Sequence, residues 1–125
     1  MESSRPSAKP VVLVVEDEPL LLLNAVDMVE DAGFEAIQAT NADVAVAILE
    51  SRADIRLVFT DIDMPGSMDG MKLAAAIRDR WPPIAIILTS GHVSAGNIKL
   101  PPHSVFFPKP YRDTEIIAQM RRMAA

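Results

Sequence analysis

Five short apolar runs, VVLVV (11–15), EAIQA (35–39), RLVFT (56–60), IAIILT (84–89) and SVFF (104–107), alternate along the chain with stretches of helical spacing. Runs this short, rich in valine and isoleucine on both faces, suit parallel strands covered on two sides. The spacing predicts a first helix from near Pro19, a good first-turn residue, to near Gly33. A second runs from about Ala42 to Ser51 with Asn41 or Thr40 as cap. A third runs from about Asp69 to Arg80 and ends at Trp81-Pro82-Pro83, and the last covers roughly Tyr111 to Met123. Between Gly91 and Pro102 the helical signal is weak, leaving room for a short or irregular fourth helix. The alternation predicts an open α/β sheet with helices on both faces and right-handed crossovers.

The 125 residues, half of them hydrophobic, are enough for one domain with a single core. Residues 1–10 are polar with two prolines and read as a loose tail, with the folded domain at 11–125. A net charge of −5 argues against broad binding to nucleic acid or anionic lipid. The absence of cysteine removes disulfides, thiolate catalysis and cysteine-bound zinc, and fits a reducing compartment. The first apolar run ends in acids after five residues, unlike a signal peptide, and Leu20–Leu23 is too short to span a membrane. A cytoplasmic single-domain protein is the expectation.

In an open parallel sheet, ligands bind beyond the carboxyl ends of the strands. Here those ends carry Glu16, Asp17 and Glu18 after the first strand and Asp61 and Asp63 after the third. Thr89, Ser90, Gly91 and His92 follow the fourth, and Pro108, Lys109 and Pro110 the fifth. Carboxylates crowded at one edge repel unless a cation sits among them. Hard oxygen ligands without cysteine or a histidine pair point to Mg²⁺. A lysine and a hydroxyl facing such a metal make a phosphoryl site, and a central carboxylate can be its nucleophile, giving an aspartyl phosphate.

These residues resemble the receiver domain of response regulators, the phosphoacceptor of bacterial two-component signalling. The resemblance covers Val11 to Met123 and rests on VVEDE (14–18), DIDMPGSMDG (61–70), LTSGH (88–92) and FFPKP (106–110), in that order. It implies a flavodoxin-like doubly wound five-stranded parallel sheet of (βα)5 form. It implies Asp61 as the acceptor that attacks the phosphohistidine of a histidine kinase or histidine phosphotransfer protein. Glu16 and Asp17 become the acidic pair that holds Mg²⁺ together with Asp61 and the backbone carbonyl of Asp63. Ser90, with Thr89 as competitor, holds one phosphoryl oxygen and Lys109 another, Pro110 aims the lysine, and Phe106 is the aromatic switch. With no output domain in these residues, the signal is expected to pass to a downstream protein target.

The sequence departs from the family at Glu16, where aspartate is commoner, and at MPGSMDG, which has one residue more than the usual MPxMDG. In PLLLLNAVDMVEDAG a stripe through Leu21, Ala25, Met28 and Ala32 is expected to face the sheet. Leu22 and Val26 are then left on a flank, either as a wide apolar face or as a docking patch for the phosphohistidine-bearing helical pair. His92 and His103 read as solvated loop residues, and Trp81 as a packing anchor. Two rivals remain: a pseudo-receiver that binds without being phosphorylated, and a haloacid-dehalogenase-like phosphohydrolase, whose D-x-D pattern DIDMP matches superficially. Against the latter, the pair lies on the third strand and 125 residues leave no room for a cap domain.

Overall fold

The computed structural model describes residues 9–66, 68–92 and 98–124. Five strands, β1 (Val11–Val15), β2 (Glu35–Ala39), β3 (Ile55–Asp61), β4 (Ala85–Ser90) and β5 (Ser104–Pro108), form one sheet in the order β2-β1-β3-β4-β5. All four pairings are parallel. Helices α1 (Pro19–Asp31), α2 (Ala42–Ser51), α3 (Gly70–Arg80) and α4 (Asp113–Ala124) connect and follow them. The expected α/β architecture stands, and the strand order reverses between β1 and β3. The expected fourth helix falls partly on residues 93–97 and the expected tail largely on residues 1–8, both outside the described residues. Residues 98–103 are not helical.

Alternation along the strands builds two cores. Leu13, Val15, Val58, Ile86 and Leu88 face one layer with Ala45, Leu49, Leu73 and Ile77 of α2 and α3. Val12, Val14, Leu57, Phe59 and Ile87 face the other with Val29, Ile116 and Met120 of α1 and α4. A register shift of β3 against β1 at Val11/Val12 lets Ile55 and Leu57, two apart, serve opposite faces. Asp61 therefore lies in the row of Leu57 and Phe59, toward α1 and α4.

Local chemistry sets the helix ends. Glu18, whose carboxylate accepts from the amides of Leu20 (2.9 Å) and Leu21 (3.2 Å), caps α1 with Pro19 in its first turn. At the other end Gly33 takes φ +98°, and its amide bonds Glu30 O while that of Phe34 bonds Val29 O, a Schellman closure. Asn41, not Thr40, caps α2 by accepting from Val44 N at 2.8 Å. Asp69 caps α3 through Lys72 N at 2.9 Å. Trp81 ends α3, packs on the core and lies under the Arg80 guanidinium, 4.4 Å from its ring centroid.

The orientation of α1 differs from the expected stripe. Leu22 and Val26 are buried with Ala25, Met28 and Val29, so neither belongs to an exposed flank. A face centred on Leu22, Ala25, Val26 and Val29 follows i, i+3, i+4, i+7 and buries Val29 completely. The stripe through Leu21 would have left Val29 to one side. The exposed leucines are instead Leu20 (63 %), Leu21 (44 %) and Leu23 (54 %).

Candidate phosphoacceptor site

Three backbone bonds continue the sheet at the strand ends that carry the candidate residues. Glu16 N donates to Ala39 O at 3.1 Å, Ile62 N to Thr89 O at 2.8 Å, and Lys109 N to Ser90 O at 2.8 Å. Because the strands are parallel, these anchors bring Glu16, Asp61, Ser90 and Lys109 to one edge. Glu16 and Asp61 are buried there, whereas Asp17 is exposed.

Glu16, Asp17 and Asp61 each offer a carboxylate oxygen within 4.8 Å of the others. The Lys109 ammonium lies 3.0 Å from Asp61 Oδ2 and 3.8 Å from Glu16 Oε1. Lys109 precedes Pro110 through a cis peptide bond. One ammonium does not balance three acids. Glu16 shows the deficit: burial, with repulsion from Asp61 and Asp17, pushes its carboxyl up to about 7, against the opposing pull of the Glu18 amide and Lys109. A compact set of carboxylate oxygens with surplus negative charge suits a small hard divalent cation, so the donor set fits Mg²⁺.

Asp63 ties Asp61 to the end of β4. Its amide donates to Asp61 Oδ1 at 3.1 Å, and its own Oδ2 accepts from Ser90 Oγ at 2.7 Å and from Gly91 N at 3.2 Å. Ser90 Oγ also accepts from His92 N at 3.0 Å. Thr89, the competing hydroxyl, is buried opposite Asp61 in the strand register. His92 and His103 are exposed. Phe106, partly buried, pairs in register with Leu88 and packs on the α2–α3 core, one layer away from Asp61.

Three features escaped the sequence reading. The first is the Asp63 side chain, since only its backbone carbonyl was expected to matter. The second is Tyr111, which packs edge-on to Phe59 (centroids 5.9 Å, 72°) and lines a cavity of about 30 Å³ with Glu16, Asp61, Thr89 and Lys109. Burial, then the acids Asp113, Glu16 and Asp61, push its hydroxyl up to about 12. An aromatic residue directly after PKP was the available signal. The third is Gly70: a Cβ there would lie 2.3 Å from Asp61 O and 2.6 Å from Ile62 Cα. Glycine in a first helical turn, directly after the cap Asp69, was the hint, because helix propensity does not favour it.

The sequence profile of the response regulator receiver domain matches residues 12–121. The nitrogen assimilation regulatory protein NtrX of Azorhizobium caulinodans is 30% identical over 118 residues, 89% of this chain and 25% of NtrX. The sensor protein TorS of Escherichia coli is 27% identical over 112 residues, 87% of this chain and 12% of TorS. The chain thus spans a quarter or less of the length of these relatives. The crystal structure of a response regulator receiver protein from Sinorhizobium medicae superposes with TM-score 0.83 at 29% identity, covering 93% of this chain and 94% of that one. With its strand order, its acid triad and its strand-end lysine in agreement with this match, the chain belongs to the response regulator receiver domain family, and its acidic cluster is consistent with a phosphoacceptor site.

Proposed function

We propose that Asp61 accepts a phosphoryl group from the phosphohistidine of a histidine kinase or histidine phosphotransfer protein. The observation that carries this reading is the Lys109 ammonium 3.0 Å from a buried Asp61 carboxylate that shares its edge with Glu16 and Asp17. A carboxylate oxygen of Asp61 attacks phosphorus, the P–N bond breaks, and the imidazole nitrogen leaves with the electron pair. Lys109 neutralises charge on the transferred oxygens, and the Ser90 hydroxyl donates to one of them. Glu16, Asp17 and Asp61, with the Asp63 carbonyl, are the residues that would hold Mg²⁺, which when bound supplies further neutralisation of phosphoryl charge. The chain catalyses only the gain and loss of its own aspartyl phosphate.

The added charge draws Ser90 toward Asp61, and Phe106 repacks as the switch that alters a surface read by a downstream protein target. The exposed Leu20, Leu21 and Leu23 take the docking role considered for Leu22 and Val26, since they lie in the first turns of α1, where Leu21 lines the cavity it shares with Asp61. Neither nucleic acid nor membrane is a partner in this reading. The net charge is −5, and among the described residues no helix is long and apolar enough to cross a membrane. The absence of cysteine accords with a cytoplasmic setting.

The test is intact mass after incubation with acetyl phosphate, with and without Mg²⁺, alongside Asp61→Asn. The reading expects one phosphoryl group gained only with Mg²⁺ and only when Asp61 is present. No gain by the folded protein would favour a pseudo-receiver, and continuous turnover of phosphate esters a phosphohydrolase.

A further inference from the structure

The Ser90 hydroxyl carries one proton, and in this structure that proton is directed at Asp63. The bond is short, 2.7 Å, and its acceptor is a carboxylate oxygen that also receives the Gly91 amide at 3.2 Å. Hydrogen bonds to a charged acceptor are about twice as strong as neutral ones. A phosphoryl group on Asp61 would present the same kind of acceptor, an anionic oxygen, to the same hydroxyl. Both cannot receive one proton. Asp63 is well placed for the competition, because its own amide is bonded to Asp61 Oδ1 at 3.1 Å.

We infer that the Asp63 side chain is a positioning residue that restrains Ser90 in the unphosphorylated state, its carboxylate occupying the hydroxyl that the phosphoryl group must recruit. This rests on the phosphoacceptor reading and adds a regulatory element to it. Formation of the aspartyl phosphate then requires the Ser90–Asp63 bond to open. The Gly91 amide shares that acceptor, so the start of the loop after β4 is released in the same event. The device sets how readily the domain switches without changing the residues that perform the transfer.

The restraint acts through Ser90, and this separates it from simple repulsion between Asp63 and an incoming phosphoryl anion. A double-mutant cycle reads the difference. Phosphoryl uptake from acetyl phosphate at saturating Mg²⁺ is followed by intact mass for the wild type, Asp63→Ala, Asp63→Asn, Ser90→Ala and Asp63→Ala/Ser90→Ala. Asp63→Ala is expected to raise the uptake rate about tenfold, the lower end of the scale of one hydrogen bond to a charged group. Asp63→Asn, which keeps an acceptor oxygen but not its charge, is expected to fall between Asp63→Ala and the wild type. The gain disappears in the Ser90→Ala background. In the phosphate-free Asp63→Ala protein, the Gly91 amide proton resonance moves upfield and exchanges faster.

An equal gain with and without Ser90 would overturn the inference in favour of charge repulsion, and so would no gain at all. In either case the wild type still takes up a phosphoryl group at Asp61, and the function proposed above survives. If the wild type takes up none, that function fails, and the restraint fails with it.

Discussion

The Lys109 ammonium and the Asp61 carboxylate meet at 3.0 Å across 48 residues of sequence, carried by the ends of β5 and β3, the two strands that flank β4 in the parallel sheet. Lys109 also lies 3.8 Å from Glu16. Lys109→Met therefore removes the positive charge facing two buried acids. The variant is expected to lose about 100-fold or more in phosphoryl uptake from acetyl phosphate, the scale seen when one charge-stabilising donor is deleted from an anionic transition state. Mass labelling over time measures it. A loss below about threefold would show that Lys109 is structural only.

Glu16 makes stability depend on pH. Its carboxyl titrates near 7 in the folded protein and near 4.5 when unfolded, so between these values the folded chain holds more protons. The contribution is complete below about pH 4.5 and is lost as pH rises to about 7. With a chelator present, thermal stability relative to Glu16→Gln is expected to decline across that window and stay level above it. Mg²⁺ needs the ionised carboxylate, so its stabilising effect should grow over the same window. A difference that rises with pH in the chelated protein would contradict the assignment.

Gly70 holds α3 against the end of β3 at Asp61. Its amide bonds Ile62 O at 3.1 Å, and an added Cβ would meet the Asp61 carbonyl oxygen at 2.3 Å. The obstacle is backbone, which cannot swing aside as a side chain would. Gly70→Ala is expected to lower stability by at least ~2 kcal/mol in a denaturant titration, at the upper side of ordinary overpacking. It is also expected to slow phosphoryl uptake by displacing Asp61. Wild-type stability in this variant would show that the helix start shifts freely.

The leucine run of α1 divides into a buried and an exposed set that substitution can separate. Leu22 is core, so Leu22→Glu buries an unpaired charge and is expected to cost several kcal/mol, about 3–5 by comparison with broken buried charge pairs. Leu20→Glu, at a 63 % exposed position, is expected to leave stability within ~0.5 kcal/mol. It should slow transfer from a protein donor and spare labelling by acetyl phosphate. Equal loss with both donors would remove the docking role.

Strand positions were legible because the central strands β1, β3 and β4 are short runs buried almost throughout, and Val11–Val15 and the half-exposed edge strand Glu35–Ala39 match their runs residue for residue. The site followed from the strands: once Asp61 and Lys109 stand at strand ends, topology brings them together. The face of α1 was harder. Four consecutive leucines give no polar residue to fix the angle, and the burial of Val29 against the sheet decided it. The Asp63 side chain was hidden because its partners, Ser90 and Gly91, lie 27 and 28 residues away on another strand end. Gly70 was hidden because close backbone approach leaves no periodic trace.

Asp61 is the one proposed to carry the phosphoryl group among the neighbouring acids Glu16, Asp17 and Asp63. The most direct test is to phosphorylate the protein with acetyl phosphate and Mg²⁺, reduce the acyl phosphate with borohydride, and sequence the peptides by tandem mass spectrometry. Reduction converts a phosphorylated aspartate into homoserine and leaves free carboxylates unchanged. Homoserine is expected at position 61 and nowhere else. Homoserine at position 63 or 17, with Asp61 intact, would contradict it.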